Sequence, residues 1–365
     1  MEGSNDNIVQ KQYAGSDSNQ YQISNYIVNQ GISEERVRSI FAELIPQALE
    51  SYTQDAYKIA SSRIDKLETT VIPRIMDIDG AIAMFADPAF QVLLRKAQQS
   101  AAATERDDDY GLLSELLVCH IQKGNDRKNR AGISKAIEIV DDIDNDALCA
   151  LTLVHAVGTF IPVTGDMKQG LQMLNALFAK LFYMQVPEGT EWIEHLDVLG
   201  AVRIDKTSSF KKTKDYYIER LSGYTCVGLK KDSKEYTEAM NLLNDAKLSP
   251  DLLIPNELLE GYVRLPIPNQ NSIKKMNMIS LGITRKINDQ EIEALNKIWK
   301  LYLSDENLKN SVVEKFNDLW NSYSALKRLR LWWDNISMCF YITKVGKVLA
   351  HTNAKRCDPE LPDLL

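Results

Sequence analysis

Three aspartates, Asp142, Asp144 and Asp146, alternate along one short stretch, and a hard cation such as calcium takes its oxygen ligands from loops of that rhythm. Here the sixth loop position is Ala147 in place of the turn-forming glycine, and the twelfth is Leu153 in place of a bidentate glutamate. The acids therefore read as charges that suit the positive start of a following helix. Cys119 and His120 are ligand types, but adjacent residues on a helix point different ways and no second pair stands at zinc spacing. His195 and Asp197, two apart, could act as base and orienter, yet no serine or cysteine nucleophile motif accompanies them. They read as a surface helix end, and His155 as a core histidine. Gly158 to Gly165 lacks the Gly-Lys-Ser/Thr ending that cradles phosphate, and no dinucleotide glycine fingerprint is present. These residues call for no metal and no cofactor.

Cations form two clusters. Arg127, Lys128, Arg130 and Lys135 stand at the start of a short helix. Lys206, Lys211, Lys212 and Lys214 stand near Phe210, Tyr216 and Tyr217, so that cations for phosphates and rings for bases lie together. The second cluster is the candidate nucleic-acid contact; its plainer reading is a solvated charged face. Leu331-Trp332-Trp333 reads as core or interface.

The block from Ile82 to Phe160 is predicted to be four helices. Asp87 caps the first, with Pro88 in its opening turn, where a proline removes only an amide that lacks an intrahelical partner. Phe90, Leu93, Leu94, Ala97 and Ala101 then mark its apolar face. Leu112, Leu113, Leu116, Leu117, His120 and Ile121 make a wide stripe on the second. Ile133, Ala136, Ile137 and Val140 mark the third, and Leu148 to Val157 the fourth. Asp166 caps a further helix, and Trp192 to Leu199 is a short one stopped by Gly200, where a left-handed residue is needed. Ala201 to Ile204 is the first strand candidate. With the basic stretch, Tyr216 to Ile218 and Tyr224 to Leu229, it suggests a small winged-helix-like or α+β element over about 201–229. Pro250, Pro255, Pro266 and Pro268 make 248–288 a Pro-rich connection. Helices resume near Asp289, and a closing strand, Met338 to Thr343, precedes a last helix capped by Thr343.

Upstream, 1–32 is a polar leader rich in Asn, Gln and Ser in which Tyr21, Ile23, Ile27 and Val28 could form a short strand that stacks between subunits. From Ser33 a long amphipathic helix over 33–79 carries Val37, Phe41 and Leu44, with breaks expected near Pro46 and Pro73. A half-polar rod of that length is seldom stable alone. These seven apolar residues are the candidate oligomerisation surface, and a homo-oligomer is the expected assembly. The remaining divisions are a helical core over 80–247 and a C-terminal helical domain over 289–365.

The chain has 365 residues, 44% of them hydrophobic, which is ample for a buried core. Its net charge of -7 disfavours wholesale attraction to nucleic acid. Five scattered cysteines suggest reduced thiols, no apolar run reaches membrane-spanning length, and the polar start is unlike a signal peptide, so a cytoplasmic location is expected.

The runs FADPAFQVLLRKAQQSAAATERDDDYGLLSELL and RAGISKAIEIVDDIDNDAL, with GSDSNQ and GISEERVRSI before them, resemble an uncharacterised bacterial family over most of residues 15–230. More distantly, Leu196 to Ile204 and Tyr341 to Ala350 are similar to segments of the abortive infection alpha proteins of anti-phage defence. The resemblance implies a mainly α fold and a non-enzymatic sensor, scaffold or effector, with a protein partner from a neighbouring gene; it carries no site residues. A nucleic-acid-binding regulator using the basic wing, and a hydrolase with a dispersed site, are the alternatives.

Overall fold

The computed structural model describes residues 33–123, 126–280 and 283–363. The chain is mainly α, with small strand pairs set among the helices. The expected rod is two helices, α1 (Glu34–Ala48) and α2 (Gln54–Met76). Each proline falls in the last turn of its helix, where only the ends of the ladder lose a hydrogen bond, and Thr53 restarts the chain from an extended conformation. The two helices fold against α3 (Pro88–Ala103), and the amide of Gln98 donates to the carbonyl of Phe41 at 3.0 Å. Val37 and Phe41 are fully buried and Leu44 half-buried within the chain. The apolar stripe that motivated self-association is therefore covered by the chain's own helices. Tyr21, Ile23, Ile27 and Val28 lie outside the described residues.

Then come α4 (Asp107–Lys123), α5 (Arg127–Glu138), α6 (Asn145–Thr159) and α7 (Met167–Leu181). The sequence set these helices by their caps: Asp87 accepts from the Ala89 amide, Asp126 from Lys128 and Asn129, and Asp166 from Gln169. Every residue of α6 from Ala147 to Val157 is buried, because α14 (Lys344–Cys357), from the far end of the chain, crosses it and also packs on α4 and α5. Ala350 and Ala354 of α14 are fully buried in that packing, while Gly346 lets the start of the helix approach the Ala201 carbonyl.

The short helix α8 (Glu191–Val198) ends at Gly200, whose φ of 74° is the left-handed stop expected there. The strand that follows, β1 (Val202–Asp205), makes no local hairpin. It pairs antiparallel with β7 (Cys339–Ile342), Val202 facing Ile342 and Asp205 facing Cys339. Tyr216 to Ile218, expected to be extended, lie in α9 (Thr213–Arg220). The reason is visible at its first turn, where the Thr213 amide and hydroxyl both donate to Asp334 Oδ1, at 2.7 and 2.9 Å. The winged arrangement is thus replaced by a two-stranded ribbon joining distant parts of the chain.

The proline-rich stretch is packed structure. Its strands β3 (Ile254–Pro255) and β4 (Tyr262–Arg264) form a three-stranded sheet in the order β2-β4-β3, with β2 at Leu229–Lys230. Pro255 sits in an edge strand, where a missing donor is tolerated. This sheet, α10 (Lys234–Asp245) and α11 (Asp289–Lys300) enclose a second apolar cluster around Leu243, Leu265, Ile273 and Leu295. A hairpin of β5 (Asn277–Ser280) and β6 (Ile283–Lys286) leads into α11. Beyond it, α12 (Glu306–Ser322), α13 (Ser324–Trp333), β7 and α14 return to the main cluster. Fully buried Arg264 joins the clusters: it pairs with Glu257 at 2.6 Å and donates to the Gly165 carbonyl, while Glu257 accepts from the Met167 amide at the head of α7.

Candidate binding groove

Two indoles from separate helices set the floor of the main groove. Trp192 of α8 and Trp332 of α13 lie with ring centroids 6.0 Å apart. Both N–H groups hold one loop: Trp332 donates to the Pro187 carbonyl at 3.0 Å and Trp192 to that of Gly189 at 3.2 Å. Arg328 holds the start of the same loop by donating to the Met184 carbonyl at 2.9 Å, with its guanidinium 4.3 Å from the Phe182 ring centre. The hollow between loop and helix has a volume of about 670 Å³, and Val186, Leu331 and Ile336 add aliphatic walls. Leu331 is 51% exposed, an unusual setting for a leucine beside two buried indoles. Next to it, a second hollow of about 740 Å³ shares Val186, Pro187 and Glu188 and includes Asp144 and Asp146.

The rim carries cations on its helix side and one acid on its loop side. Lys327 and Arg328 of α13 line the hollow opposite Glu188, and among the described residues neither cation forms an ion pair with a carboxylate. Beneath the floor the rings continue inward: Trp192 and Phe210 each meet Phe340, Phe210 meets Trp333, and Tyr216 bridges Trp333 to Tyr217 and Trp320. The groove therefore rests on a rigid aromatic base.

This base explains where the basic stretch goes. Phe210, Tyr216 and Tyr217 are packed on other rings and are not free to stack on bases. Lys211 pairs with Glu219 at 2.8 Å, its carbonyl accepts from Trp333, and Lys212 donates to the Asp334 carbonyl. Lys206 and Lys214 stand exposed on either side. The sequence brought cations and rings together, but the fold turns the rings inward.

The other candidates separate. His195 accepts from the Asp144 amide at 3.2 Å, whereas Asp197 accepts from the Ile204 amide and lies 3.7 Å from Arg203. The carboxylate of Asp146 accepts from the Ala147 amide at the start of α6, in keeping with a helix-start role. Among the described residues no three His, Cys, Asp or Glu side chains gather as a metal site, and all five cysteines are free thiols. Among the described residues no helix is long and apolar enough to cross a membrane.

His155 meets a partner that sequence spacing could not reveal. Its Nε2 lies 3.2 Å from Nδ1 of His351, and Nε2 of His351 lies 2.9 Å from the Pro362 carbonyl. A carbonyl only accepts, so neutral His351 carries its proton on Nε2 and offers a bare Nδ1. His155 must then donate from Nε2, leaving its own Nδ1 to accept from the Thr159 hydroxyl at 3.4 Å. Beside this relay Asn353 donates to Thr152 and Tyr183 and accepts from Arg356. Burial first, then the His351 and Lys347 charges, lower the His155 pKa to about 4, and burial also lowers that of His351. Both rings are neutral structural groups at neutral pH.

Leu331 and Trp332, with Trp333, read as core or interface from sequence; Trp192, Arg328, Ile336 and the 184–189 loop gave no such signal, because only the tertiary fold brings α8 beside α13. No curated protein and no solved structure matches this chain. A protein-family model described as ":-like", a description that names no activity, matches residues 31–362, and the chain belongs to that family.

Proposed function

We propose that the protein is a binding module that acts as a sensor or scaffold in bacterial anti-phage defence of the abortive-infection type, holding a segment of a partner protein in the Trp192–Trp332 groove. The observation that supports binding is the exposed Leu331 beside two pinned indoles under a rim of unpaired cations. Such a surface suits an acidic segment with one aliphatic or aromatic anchor: the anchor covers apolar area while carboxylates meet Lys327 and Arg328. The resemblance of Leu196–Ile204 and Tyr341–Ala350 to abortive infection proteins supports the cellular setting.

Leu331→Asp puts a like-signed charge before an acidic partner and, at so exposed a position, changes stability by only about 0.5 kcal/mol. Cells expressing the wild type with its neighbouring genes are expected to restrict phage plating, and those expressing the variant at equal level are not. A photo-crosslinking residue at position 331 should trap one acidic partner, whose identity mass spectrometry gives. Crosslinks only to the chain's own first 32 residues, to a second copy, or to nothing would refute the partner; equal restriction by both forms would refute the groove's role in defence.

A further inference from the structure

A separate hollow, of about 270 Å³, opens between α3, α4 and α5, remote in sequence from the Trp groove. Its walls are Val92, Leu93 and Ala131, and Val92 is 46% exposed although it faces apolar neighbours. Arg127 and Arg130, one turn apart on α5, stand over it with exposed guanidinium groups. The nearest acid in sequence does not neutralise them: Asp126 caps the Lys128 and Asn129 amides and lies 3.8 Å from Lys344. The remaining polar group of the floor is the imidazole of His120, 4% exposed and tilted against Phe90. Its Nδ1 is buried and has no hydrogen-bond partner among the described residues, which is uncommon for a buried polar atom.

We propose that this hollow binds a small phosphate monoester, its dianionic head between Arg127 and Arg130, its aromatic or short alkyl body on Val92, Leu93 and Ala131, and its edge against His120. Two guanidinium forks at the positive start of a helix match a doubly charged oxyanion better than a carboxylate. The size excludes a protein segment. A nucleic acid would need a longer cationic track: Lys135 of the same cluster pairs with Glu138 at 3.2 Å, which leaves Lys128 as the one further cation beside the two arginines.

The test is a titration of the full-length, ¹⁵N-labelled protein with phenyl phosphate, following the His120 ring nitrogens, with inorganic phosphate and phenol as separate arms. Phenyl phosphate should shift His120 saturably and bind at least about tenfold more tightly than either arm. Arg127→Ala or Arg130→Ala should weaken it about tenfold or more. Both side chains are exposed, so these variants fold; Val92→Asp, also exposed, should abolish binding by removing the apolar wall. Absence of a saturable shift at millimolar phenyl phosphate, equal binding of inorganic phosphate, or indifference to the arginine substitutions would overturn the site.

Discussion

Acid should unlock the buried histidine pair before it disturbs the rest of the fold. In the native state the order of protons is fixed: Thr159 donates to His155, His155 to His351, and His351 to the Pro362 carbonyl. A further proton on His351 turns its Nδ1 into a donor and sets it against the N–H of His155, while one on His155 reverses its bond to the Thr159 hydroxyl and leaves a charge buried in the core. The native pKa of His155, about 4, lies below the unfolded value near 6.5, so the unfolded chain takes up protons first. Stability from this residue is complete above about pH 6.5 and drains away as pH falls toward 4. The gap of about 2.5 units, at 1.36 kcal/mol each, gives about 3 kcal/mol, a large share of the 5–15 kcal/mol typical of a folded domain. The depressed His351 adds loss of the same sign. His155→Gln can still donate to His351 Nδ1 but does not titrate. Urea unfolding followed by circular dichroism at several pH values between 7.5 and 4 should show the variant about 1 kcal/mol less stable at neutral pH, with a distinctly shallower acid limb. Parallel limbs for the two proteins would refute the proton order and the burial argument together.

Arg264→Leu removes the cation from a buried pair and strands Glu257 beside the head of α7; a loss of about 3–5 kcal/mol is expected in urea unfolding, and a loss under 1 kcal/mol would show that the clusters are not joined there. Adding Glu257→Leu should recover part of it, because two apolar groups leave no charge unmatched. Gly346→Ala would place a methyl group 2.0 Å from the Ala201 carbonyl oxygen, so α14 must shift from the ribbon. A loss of about 1–3 kcal/mol or more in thermal unfolding should follow, and an unchanged melting temperature would contradict that packing.

Local chemistry was the legible part. Asp87, Asp166 and Thr343 cap helices as the sequence led one to expect, because a cap depends on a few consecutive residues. The pairing of β1 with β7 was not legible, since each strand is four residues long and its partner lies far along the chain. For the same reason Tyr216 and Tyr217, apt for strands by type, became helical once Asp334 capped their turn. Proline density at Pro250 to Pro268 suggested an open connection because punctuation says nothing about burial; Leu265 and Ile267 are buried. At the groove the sequence supplied the tryptophans but not their neighbours. At the hollow between α3, α4 and α5 it supplied Arg127 and Arg130 and put His120 on the apolar stripe of its helix, but it did not place the arginines over that ring.

The position of α14 has a consequence for birth on the ribosome. The slot that it fills among α4, α5 and α6 is made early, yet its occupant begins only at Lys344, long after α6 ends at Thr159. At about 5–20 residues per second, the nascent chain must wait roughly ten to forty seconds with that slot open. A chain cut short before Lys344 would never close it, and would present a permanently greasy trough to chaperones and proteases.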